Sequence, residues 1–471
     1  MRLLSLPNYV NGSFRESAEE KILQDYNGNE FATIYNVSGA DLRDIKRNLP
    51  KYREELQKIH LDRIVQLIKK SMDYYFVTEE SIANVSKLTG SPYKYVVESI
   101  SQLKYWAKNL NDYLIMCFGQ EDYSKVPLQY QDKKIAFEKY VPSGPVIGIL
   151  PKNAEAVSIY LLLQIILSKN PCIVKTSSSL GSSYSSLELI KALNRAIDES
   201  NDAELEVIKK SVNIVNIFNT EATEIIKKLE VEKGNYVIFG SNSTIKKVEN
   251  SLRKSRPNKI IKMGTGLSIS VVLNDADIPF AADEICRSAS SDRGNDCIST
   301  NIIYVQEEIF EDFMKNVDES SQKYQAKDPF LEDSIVGHIQ KEDVDLIKAR
   351  ISSIKSDAVL KGLPETIHLT IISLEEHETF EEFPGPVLGV RKFNGLRNFY
   401  SLFRKDLEKN DLDKNLVSSI FTKDAAIFEN ISSNINSFIF KLNKGSQKMN
   451  FLLEHQGTYL IKELLDKRVL E

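Results

Sequence analysis

Cys297 is the residue whose surroundings in the sequence best suit nucleophilic chemistry. It follows the polar, turn-forming residues 293–296 and precedes the apolar run 302–305, so the pattern predicts a thiol on a loop just before a strand. An ordinary cysteine is mostly protonated at neutral pH, and a catalytic one needs partial exposure and a positive or dipolar neighbourhood. Gly294 allows close backbone approach, and we expect Arg293 to supply positive charge. A lone cysteine is more often a small buried residue, so the rest of the chain must decide.

Composition excludes several other kinds of chemistry. The 61 lysines and arginines nearly balance 66 aspartates and glutamates, and there is no long basic stripe, so a nucleic-acid partner is disfavoured. Four widely spaced cysteines without CxxC, and five histidines without HExxH or paired helical spacing, predict neither a disulfide framework nor a metal site. The longest apolar segment, residues 159–167, is too short to span a bilayer, and the N-terminus lacks a signal peptide. We expect a cytoplasmic protein.

The elements that would position Cys297 follow from the alternation of apolar runs. Residues 41–118 show helical spacing, and residues 126–130 and 135–141 resemble a small antiparallel strand pair. From residue 146 to residue 262, short strands alternate with helices, which is typical of a parallel α/β sheet. Ligands bind at the carboxyl ends of such strands, so the informative residues are those that follow them.

Three such strand ends carry polar residues, at 151–153, 175–178 and 240–243. Small hydroxylated residues there can present backbone N–H groups and a helix N-terminus to a phosphate, although the serines of residues 177–183 would equally well cap the next helix. A GxxxxGK[ST] loop is absent, and Gly264-Thr265-Gly266 lacks the third glycine of the dinucleotide fingerprint. A nucleotide site must therefore be built from other residues.

Six short motifs, taken in order, resemble the aldehyde dehydrogenase superfamily from about residue 8 onward. They are Pro151-x-Asn153, Lys175 at a strand end, Phe239-Gly240-Ser241, the glycine-rich step followed by Asp275-Ala276-Asp277, Gly294-Asn295-Asp296-Cys297, and Glu-Glu-Phe-Pro-Gly-Pro-Val at residues 381–387. Each motif is weak alone, and their common order makes the resemblance strong. The last stretch, residues 455–471, and the loosened middle motifs are more similar to the acyl-CoA reductases typified by the bacterial bioluminescence fatty acid reductase.

The resemblance implies an α/β fold with two Rossmann-type parallel-sheet domains and a small antiparallel oligomerisation element. Residues 1–119 and 142–261 would form the cofactor-binding domain, residues 262–441 the catalytic domain, and residues 120–141 with 442–471 the bridging element. Family members use that element to pair sheet edges between subunits, so we expect a homo-oligomer. The strand-like residues 458–461 suit this use.

The resemblance also assigns the reacting residues. Cys297 becomes the nucleophile that attacks an acyl or aldehyde carbonyl. The side-chain amide of Asn153 and the backbone N–H of Cys297 would hold the resulting oxyanion. Cys172 and Cys286 stand in apolar or helical contexts, and we expect them in the core.

The cofactor residues come from the same resemblance. Lys175 would lie along the adenosine ribose of a nicotinamide cofactor, with Gly240 and Ser241 near its pyrophosphate. Glu382 would accept hydrogen bonds from the nicotinamide ribose, although it could instead be a solvated member of an acidic run. Ser178 replaces a glutamate that, in NAD-preferring relatives, repels a 2′-phosphate. We therefore expect NADPH as cofactor, with NADH as the alternative.

A missing carboxylate sets the predicted direction of the reaction. Oxidative aldehyde dehydrogenases open the glycine-rich step with a glutamate that activates water, whereas residues 262–266 read Lys-Met-Gly-Thr-Gly. An acyl-enzyme that water attacks poorly would survive long enough to be formed from acyl-CoA and reduced. The leading prediction is reduction of a fatty acyl-CoA, or of an acyl group passed on by a partner protein, to the aldehyde.

Two alternatives stay open. The first is a conventional NAD(P)-dependent aldehyde dehydrogenase that makes carboxylic acids from long-chain aldehydes without CoA. The second is a non-catalytic acyl-carrying scaffold subunit, which would be acylated at Cys297 without consuming NADPH. Because the motifs assigned to cofactor binding are retained, we rank the scaffold subunit below both enzymes.

Overall fold

The chain forms two compact units, described by a computed structural model. The model describes residues 3–130, 133–151, 155–177, 181–252, 256–264, 266–354, 367–447, 450–454 and 457–470. Unit 1 consists of Met1–Leu88, Glu98–Gly264 and Asn450–Glu471, and unit 2 consists of Thr89–Val97 and Thr265–Met449. Residues 89–97 thus cluster with unit 2, although they fall inside the span predicted for the cofactor domain. The roles assigned to the domains stay predictions.

The secondary structure alternates strands and helices through most of the chain. The described strands are β1 (Leu4–Leu6), β2 (Asn8–Val10), β3 (Ser13–Arg15), β4 (Glu20–Gln24), β5 (Glu30–Tyr35), β6 (Val126–Tyr130), β7 (Lys133–Pro142), β8 (Val146–Ile149), β9 (Cys172–Lys175), β10 (Val212–Val215), β11 (Asn235–Phe239), β12 (Lys259–Met263), β13 (Ser268–Val272), β14 (Thr300–Gln306), β15 (Thr370–Leu374), β16 (Val387–Phe393), β17 (Asn415–Phe421), β18 (Ser437–Leu442) and β19 (Leu465–Leu470). The described α-helices are α1 (Gly39–Lys58), α2 (Leu61–Tyr74), α3 (Glu79–Thr89), α4 (Tyr93–Lys108), α5 (Leu110–Phe118), α6 (Glu155–Leu167), α7 (Ser182–Ser200), α8 (Glu206–Ser211), α9 (Ala222–Leu229), α10 (Asn242–Leu252), α11 (Ile278–Ser290), α12 (Phe310–Ser321), α13 (Lys341–Ile354), α14 (Gly395–Lys409), α15 (Ala425–Asn434) and α16 (Leu460–Glu463).

The sheet of unit 1 has the order β12-β11-β8-β9-β10-β2-β3, and its first five strands are parallel. These strands are short apolar runs because helices cover both faces, so neither face needs polar side chains. Ile149 pairs with Lys175 on one side and with Ile238 on the other, which brings the carboxyl ends of β8, β9 and β11 to one edge. The strand ends singled out in the sequence therefore share an edge.

The sheet of unit 2 has the order β15-β16-β14-β13-β17-β18 and is entirely parallel. Its core contains the fully buried rings of Tyr304, Phe313 and Phe399. Arg391 and Asp406 form a buried ion pair at 2.8 Å, and the Tyr304 hydroxyl donates to Asp406 at 2.6 Å. The predicted fold class, with two parallel-sheet domains, is confirmed.

A small antiparallel sheet of order β19-β7-β6 belongs to unit 1. The antiparallel pair predicted around residues 126–141 is present, but the prediction of a strand at residues 458–461 was wrong. Leu460–Glu463 is a helical turn, and the strand is Leu465–Leu470. The carbonyl of Leu464 accepts hydrogen bonds from the Ser143 and Asn170 side chains, which fixes the end of the turn before the strand begins.

Within the described ranges, no helix is both long enough and apolar enough to cross a membrane.

Candidate functional site

Cys297 lies in unit 2 on the loop that leads into β14, as the sequence predicted. The residue is half-buried, and its side chain packs against a small apolar cluster of Ile298, Leu416 and Val417. The hydroxyl of Ser268 donates to the Cys297 carbonyl at 3.2 Å. A Cβ added to Gly266 would come within 2.3 Å of the same carbonyl, so only glycine allows this close approach. The backbone that carries the thiol is therefore tightly held.

The turn before Cys297 has an unusual backbone. Asp292, Arg293 and Gly294 have φ angles of +45°, +66° and +66°, so three consecutive residues occupy the left-handed region. Non-glycine residues rarely adopt this conformation, and they keep it only where the surrounding contacts enforce it. A Cβ on Gly294 would lie 2.6 Å from the carbonyl oxygen of Ala289 and 2.6 Å from Pro386. Packing thus fixes the turn.

Arg293 does not supply positive charge to the Cys297 thiol, which the sequence had suggested. Its guanidinium is buried and pairs with the buried carboxylate of Asp292 at 3.2 Å, and it also donates to the carbonyl of Thr89. The charged side chains that act on the thiol are instead carboxylates. The expectation that Arg293 supplies positive charge to Cys297 was therefore wrong, because a buried guanidinium requires an anionic partner of its own.

Glu382 is brought to the cysteine loop by the Gly-Pro pair that follows it. Pro386 packs on Gly294, so residues 382–386 lie against the turn that precedes Cys297. Burial raises the pKa of Glu382 to about 7, although a backbone hydrogen bond from Gly266 and the charge of Arg350 oppose the rise. Its Oε2 atom is buried and has no hydrogen-bond partner among the described residues. Glu382 is therefore no solvated surface residue.

The electrostatic surroundings of the thiol favour its neutral form. Burial raises the pKa of Cys297 well above its usual value, and the carboxylates of Asp296 and Glu382 raise it further. The backbone N–H groups of Cys297 and Ile298 act in the opposite direction. The Tyr95 hydroxyl donates a 2.7 Å hydrogen bond to Asp296. At neutral pH the resting thiol is protonated, so an attack on a carbonyl requires that its proton be accepted by another group.

Lys175 lies in unit 1, at the carboxyl end of β9. It is half-buried, and desolvation lowers the pKa of its ammonium group to about 8. Within the part of the chain that the structure describes, neither a carboxylate nor a hydrogen-bond acceptor contacts this ammonium group. A desolvated cation without an anionic partner fits a ligand that brings hydroxyl or phosphate oxygens.

Gly240 and Ser241 lie at the end of β11, on the same sheet edge as Lys175. Gly240 has a φ of +157°, and Ser241 is exposed at the start of α10. The Ser241 hydroxyl accepts from the Thr244 N–H at 3.3 Å and lies 3.0 Å from the Ser243 hydroxyl. The hydroxyl groups of Ser241, Ser243 and Thr244 thus bond to one another at the helix N-terminus, which is the kind of position that binds a pyrophosphate. These residues also fit the predicted nicotinamide cofactor.

Two predicted site residues, Asn153 and Ser178, lie outside the described residues, and their roles stay predictions. Next to Ser178, the Ser177 N–H donates to the Ser182 hydroxyl at 2.9 Å, whereas Gly181 precedes α7 and no side chain among the described residues caps this helix. Cys172 and Cys286 are buried in the core, and that prediction is confirmed.

The structure thus brings Cys297 and Glu382 together in unit 2, and places Lys175, Gly240 and Ser241 along one sheet edge of unit 1. Sequence reasoning missed Tyr95 and Asp296. The acidic residue next to Cys297 was a visible signal for Asp296, whereas nothing local pointed to Tyr95, which is 201 positions away from its partner.

Comparison with known proteins identifies the family. The model of the aldehyde dehydrogenase family matches residues 14–458. The D-glyceraldehyde dehydrogenase (NADP(+)) of Picrophilus torridus is 23% identical over 457 residues, which cover 91% of this chain and 86% of that relative. The NAD(P)+ aldehyde dehydrogenase 1 of Saccharomyces cerevisiae is 24% identical over 460 residues, which cover 88% of this chain and 83% of the yeast protein.

Solved structures show the same fold at lower identity. An aldehyde dehydrogenase from Bartonella henselae superposes with a TM-score of 0.83 at 18% identity, covering 99% of both chains. A glyceraldehyde-3-phosphate dehydrogenase from Methanocaldococcus jannaschii, in complex with NADP, gives 0.80 at 18% identity, covering 96% of this chain and 99% of the other. Because the family match extends over far more than half of the sequence, this chain belongs to the aldehyde dehydrogenase family.

Proposed function

We propose that this protein oxidises aldehydes to carboxylic acids with NADP as hydride acceptor, through a thioester on Cys297. The observation that carries the proposal is that the charge of Glu382, a buried carboxyl group whose pKa is raised to about 7, acts on the half-buried Cys297 thiol. A group that titrates near neutral pH is suited to accept a proton at one step and to return it at another. The relatives named above, which are aldehyde dehydrogenases, support the same direction of reaction.

The residues of unit 2 account for the covalent steps. Cys297 Sγ bonds to the aldehyde carbon while its proton is taken up by Glu382, one of the two carboxylates whose charges act on the thiol and the one whose pKa is raised to about 7. A nicotinamide cofactor would supply the acceptor for the hydride of this carbon, and Lys175, Gly240 and Ser241 are the residues proposed to hold it. Water then attacks the thioester, which releases the carboxylic acid and returns the thiol. The backbone N–H of Cys297 is the described donor proposed for the carbonyl oxygen during attack.

Lys175 supports the choice of NADP. A cation at a strand end, without an anionic partner among the described residues, can hold the additional phosphate of this cofactor. NADPH, in the reverse direction, and NADH remain the predicted alternatives. The proposed homo-oligomer would use the antiparallel sheet β19-β7-β6, as the resemblance implies.

One observation favours acyl-CoA reduction as a second candidate. Lys262, which opens the glycine-rich step, is an exposed residue of β12 and forms an ion pair with Glu249 at 2.7 Å. It cannot activate water as a carboxylate at this position would. If Glu382 does not replace that missing base, the thioester is hydrolysed slowly, and a fatty acyl-CoA or an acyl-transferring partner becomes the source of the acyl group.

A product assay separates the two candidates. Purified protein is supplied either with long- and short-chain aldehydes and NADP+ or NAD+ without CoA, or with acyl-CoAs and NADPH or NADH. We expect steady formation of the carboxylic acid in the first set, and none with the Cys297→Ala variant. Aldehyde formation from acyl-CoA, without acid formation from aldehyde, would replace the proposal with the second candidate. Acylation of Cys297 without any redox turnover would indicate the scaffold subunit.

A further inference from the structure

The segment that carries Glu382 connects two neighbouring parallel strands of unit 2 without a helix. β15 pairs with β16, and residues 375–386 between them are all described and form neither a helix nor a strand. Main-chain carbonyls in such a connection lack the partners that a helix would supply, so other donors must satisfy those that are buried. Four of these carbonyls accept hydrogen bonds from the side chains of three residues, Arg350, Arg391 and Asn410.

Arg391 holds the beginning of the connection from a buried position. Its guanidinium donates to the carbonyl of Glu375 at 2.7 Å and to that of Glu378 at 2.6 Å. It also donates to both carboxylate oxygens of Asp406, each at 2.8 Å, and both members of this pair are buried. Because a planar guanidinium bound at both oxygens has a fixed orientation, the two carbonyls are held in fixed positions.

Two further side chains hold the part of the connection next to Glu382. Asn410, at the C-terminal end of α14, donates to the carbonyl of Phe380 at 2.8 Å and to that of Asp406 at 2.8 Å. Arg350 of α13 donates to the main-chain carbonyl of Glu382 itself at 3.1 Å. Both donors are half-buried, so their replacement disturbs the core less than replacement of Arg391 would.

Apolar packing brings the same segment close to α13. A Cβ added to Gly385 would lie 2.4 Å from the side chain of Ile347, which belongs to the helix that carries Arg350. The rings of Phe380 and Phe383 are buried and lie 5.2 Å apart between their centroids, one before and one after Glu382 in the chain. The packing limits how far the segment can move, and the hydrogen bonds to its carbonyls fix the direction in which each peptide group points.

We propose that Arg350 and Asn410 are positioning residues for the reaction, which hold Glu382 through its main chain in the orientation that proton transfer from Cys297 requires. The inference rests on the proposed function, in which Glu382 accepts the thiol proton. Proton transfer needs donor and acceptor atoms about 2.6–3.2 Å apart, so a small rotation of the main chain at residue 382 separates them. A misplacement of about 1 Å costs up to about 10²-fold in rate.

Hydrogen exchange of the purified protein measures how firmly the connection is held, without any turnover. Exchange is followed by mass spectrometry in peptides that cover residues 375–386, with peptides of β14 as the internal reference. Arg350→Met and Asn410→Ala should each raise the exchange rate of the connection about threefold to 10-fold, because each removes a hydrogen bond to it. Asn434→Ala is the matched control. Asn434 ends α15 and donates to the carbonyl of Asn430, four residues earlier, at 2.7 Å, as Asn410 does in α14, but it is exposed. Its replacement should leave the exchange of residues 375–386 unchanged.

The rate of the first turnover tests whether this hold serves the reaction. It is measured as NADPH formation at saturating aldehyde and NADP+, under conditions where every variant is folded. Arg350→Met should lower it about 10-fold or more, and Asn410→Ala about threefold. Arg350→Lys, which keeps the charge and a donor, should recover part of the loss. Lys341→Met removes a charge from an exposed position of α13 and should retain the wild-type rate.

The pH dependence of that rate separates positioning from a purely structural role. Glu382 must be deprotonated to accept a proton, so the rate falls as pH falls through its pKa of about 7. The charge of Arg350 lowers this pKa, so Arg350→Met should move the fall to higher pH, and Arg350→Lys should restore it. The Gly266 N–H and the Cys297 thiol, which also interact with Glu382, are the same in both variants.

Each outcome bears on a different part of the inference. A wild-type first-turnover rate in folded Arg350→Met and Asn410→Ala proteins would overturn the proposal, and so would unchanged exchange at residues 375–386. Asn410→Ala carries the test alone if Arg350→Met fails to fold. If the wild-type protein oxidises no aldehyde although the exchange rates respond as expected, the proposed function fails, and the account of how the connection is held stands.

Discussion

The cysteine loop of unit 2 and the strand ends of unit 1 are built on opposite principles. Around Cys297, three left-handed residues, a buried ion pair and a glycine without space for a Cβ fix the backbone. At Gly240, the nearest atom to an added Cβ is the Thr244 methyl carbon at 3.4 Å, which is close to an ordinary contact, and the hydroxyl-bearing residues Ser241 and Ser243 are exposed. The comparison teaches that the reacting group is positioned by packing, whereas the proposed cofactor residues combine a desolvated lysine with exposed hydroxyl groups at a helix N-terminus.

Removal of the thiol should have the largest effect. Cys297→Ala should lower the rate of aldehyde oxidation at least about 10³-fold, because the covalent route is lost. Binding of NADP, followed by titration calorimetry, should change little, since the proposed phosphate and ribose contacts lie in unit 1. Cys286→Ala, which removes a buried cysteine of the same unit, is the control and should remain active. Aldehyde oxidation that a folded Cys297→Ala protein retains would show that the chemistry does not depend on Cys297.

Two glycines of unit 2 can distinguish the stability cost of a packing clash at the cysteine loop from the cost of backbone strain. Gly294 and Gly395 have similar φ angles of +66° and +72°, but an added Cβ clashes only at Gly294. Gly294→Ala should cost about 3 kcal/mol or more, and Gly395→Ala about 1 kcal/mol, in the free energy of unfolding. Denaturant titrations of both variants measure the difference. Equal costs would mean that packing does not fix the cysteine loop.

Desolvation of Lys175 makes cofactor affinity sensitive to pH. The pKa of this group falls from 10.5 to about 8 on folding, so the charged form that holds a phosphate is lost above about pH 8. NADP affinity should decrease above that pH in the wild-type protein, whereas Lys175→Arg should retain it. Lys175→Met should weaken binding about 10-fold or more at neutral pH. Unchanged affinity in Lys175→Met would remove this residue from the cofactor site.

The same desolvation predicts the direction of a stability change. Between about pH 8 and 10.5, the unfolded chain binds more protons at Lys175 than the folded protein, so this residue makes stability rise with pH. Lys175→Met should remove that contribution, and urea titrations across the window provide the measurement.

Glu382 should make stability change with pH in the direction opposite to that of Lys175. Its pKa rises from 4.5 to about 7 on folding, so its contribution to stability is present below about pH 4.5 and is lost as pH rises to about 7. Glu382→Gln should therefore be more stable than the wild type by about 1–2 kcal/mol at about pH 8, and by less at about pH 5. Glu381→Gln changes the exposed neighbour and should show no such dependence. If the stabilities of the two variants depend on pH in the same way, Glu382 is a solvated surface residue and the account of its burial is wrong.

The sequence predicted the local parts of this architecture well, because they depend on local patterns. The strands from Val146 to Met263 are apolar runs bounded by polar residues. The position of Cys297 before β14 follows from the change from the polar residues 293–296 to the apolar run 302–305. The final strand was placed too early, because residues 458–461 are as strand-like as Leu465–Leu470. The two segments are distinguished by long-range contacts, namely the antiparallel pairing of Leu465–Leu470 with β7 and the hydrogen bonds from distant side chains to the Leu464 carbonyl.

The contacts that control the thiol could not be predicted in the same way. Arg293 was expected to act on its nearest reactive neighbour, but its partner was determined by burial beside Asp292. Tyr95 reaches Asp296 because residues 89–97 join unit 2, and no local pattern shows that a piece of helical sequence will do so. Long-range pairing of charged and polar groups is set by tertiary packing, which spacing along the chain does not encode.

The most direct test of the central claim is to trap the acyl group on Cys297 during aldehyde oxidation. The protein is mixed with a neutral aldehyde and NADP+, quenched in acid within the first turnover, and the peptide containing Cys297 is weighed by mass spectrometry. The account predicts a mass increase that corresponds to the acyl group of that aldehyde, on Cys297 alone, and its decay as the acid forms. Acid formation with an unmodified Cys297 at every quench time would contradict it.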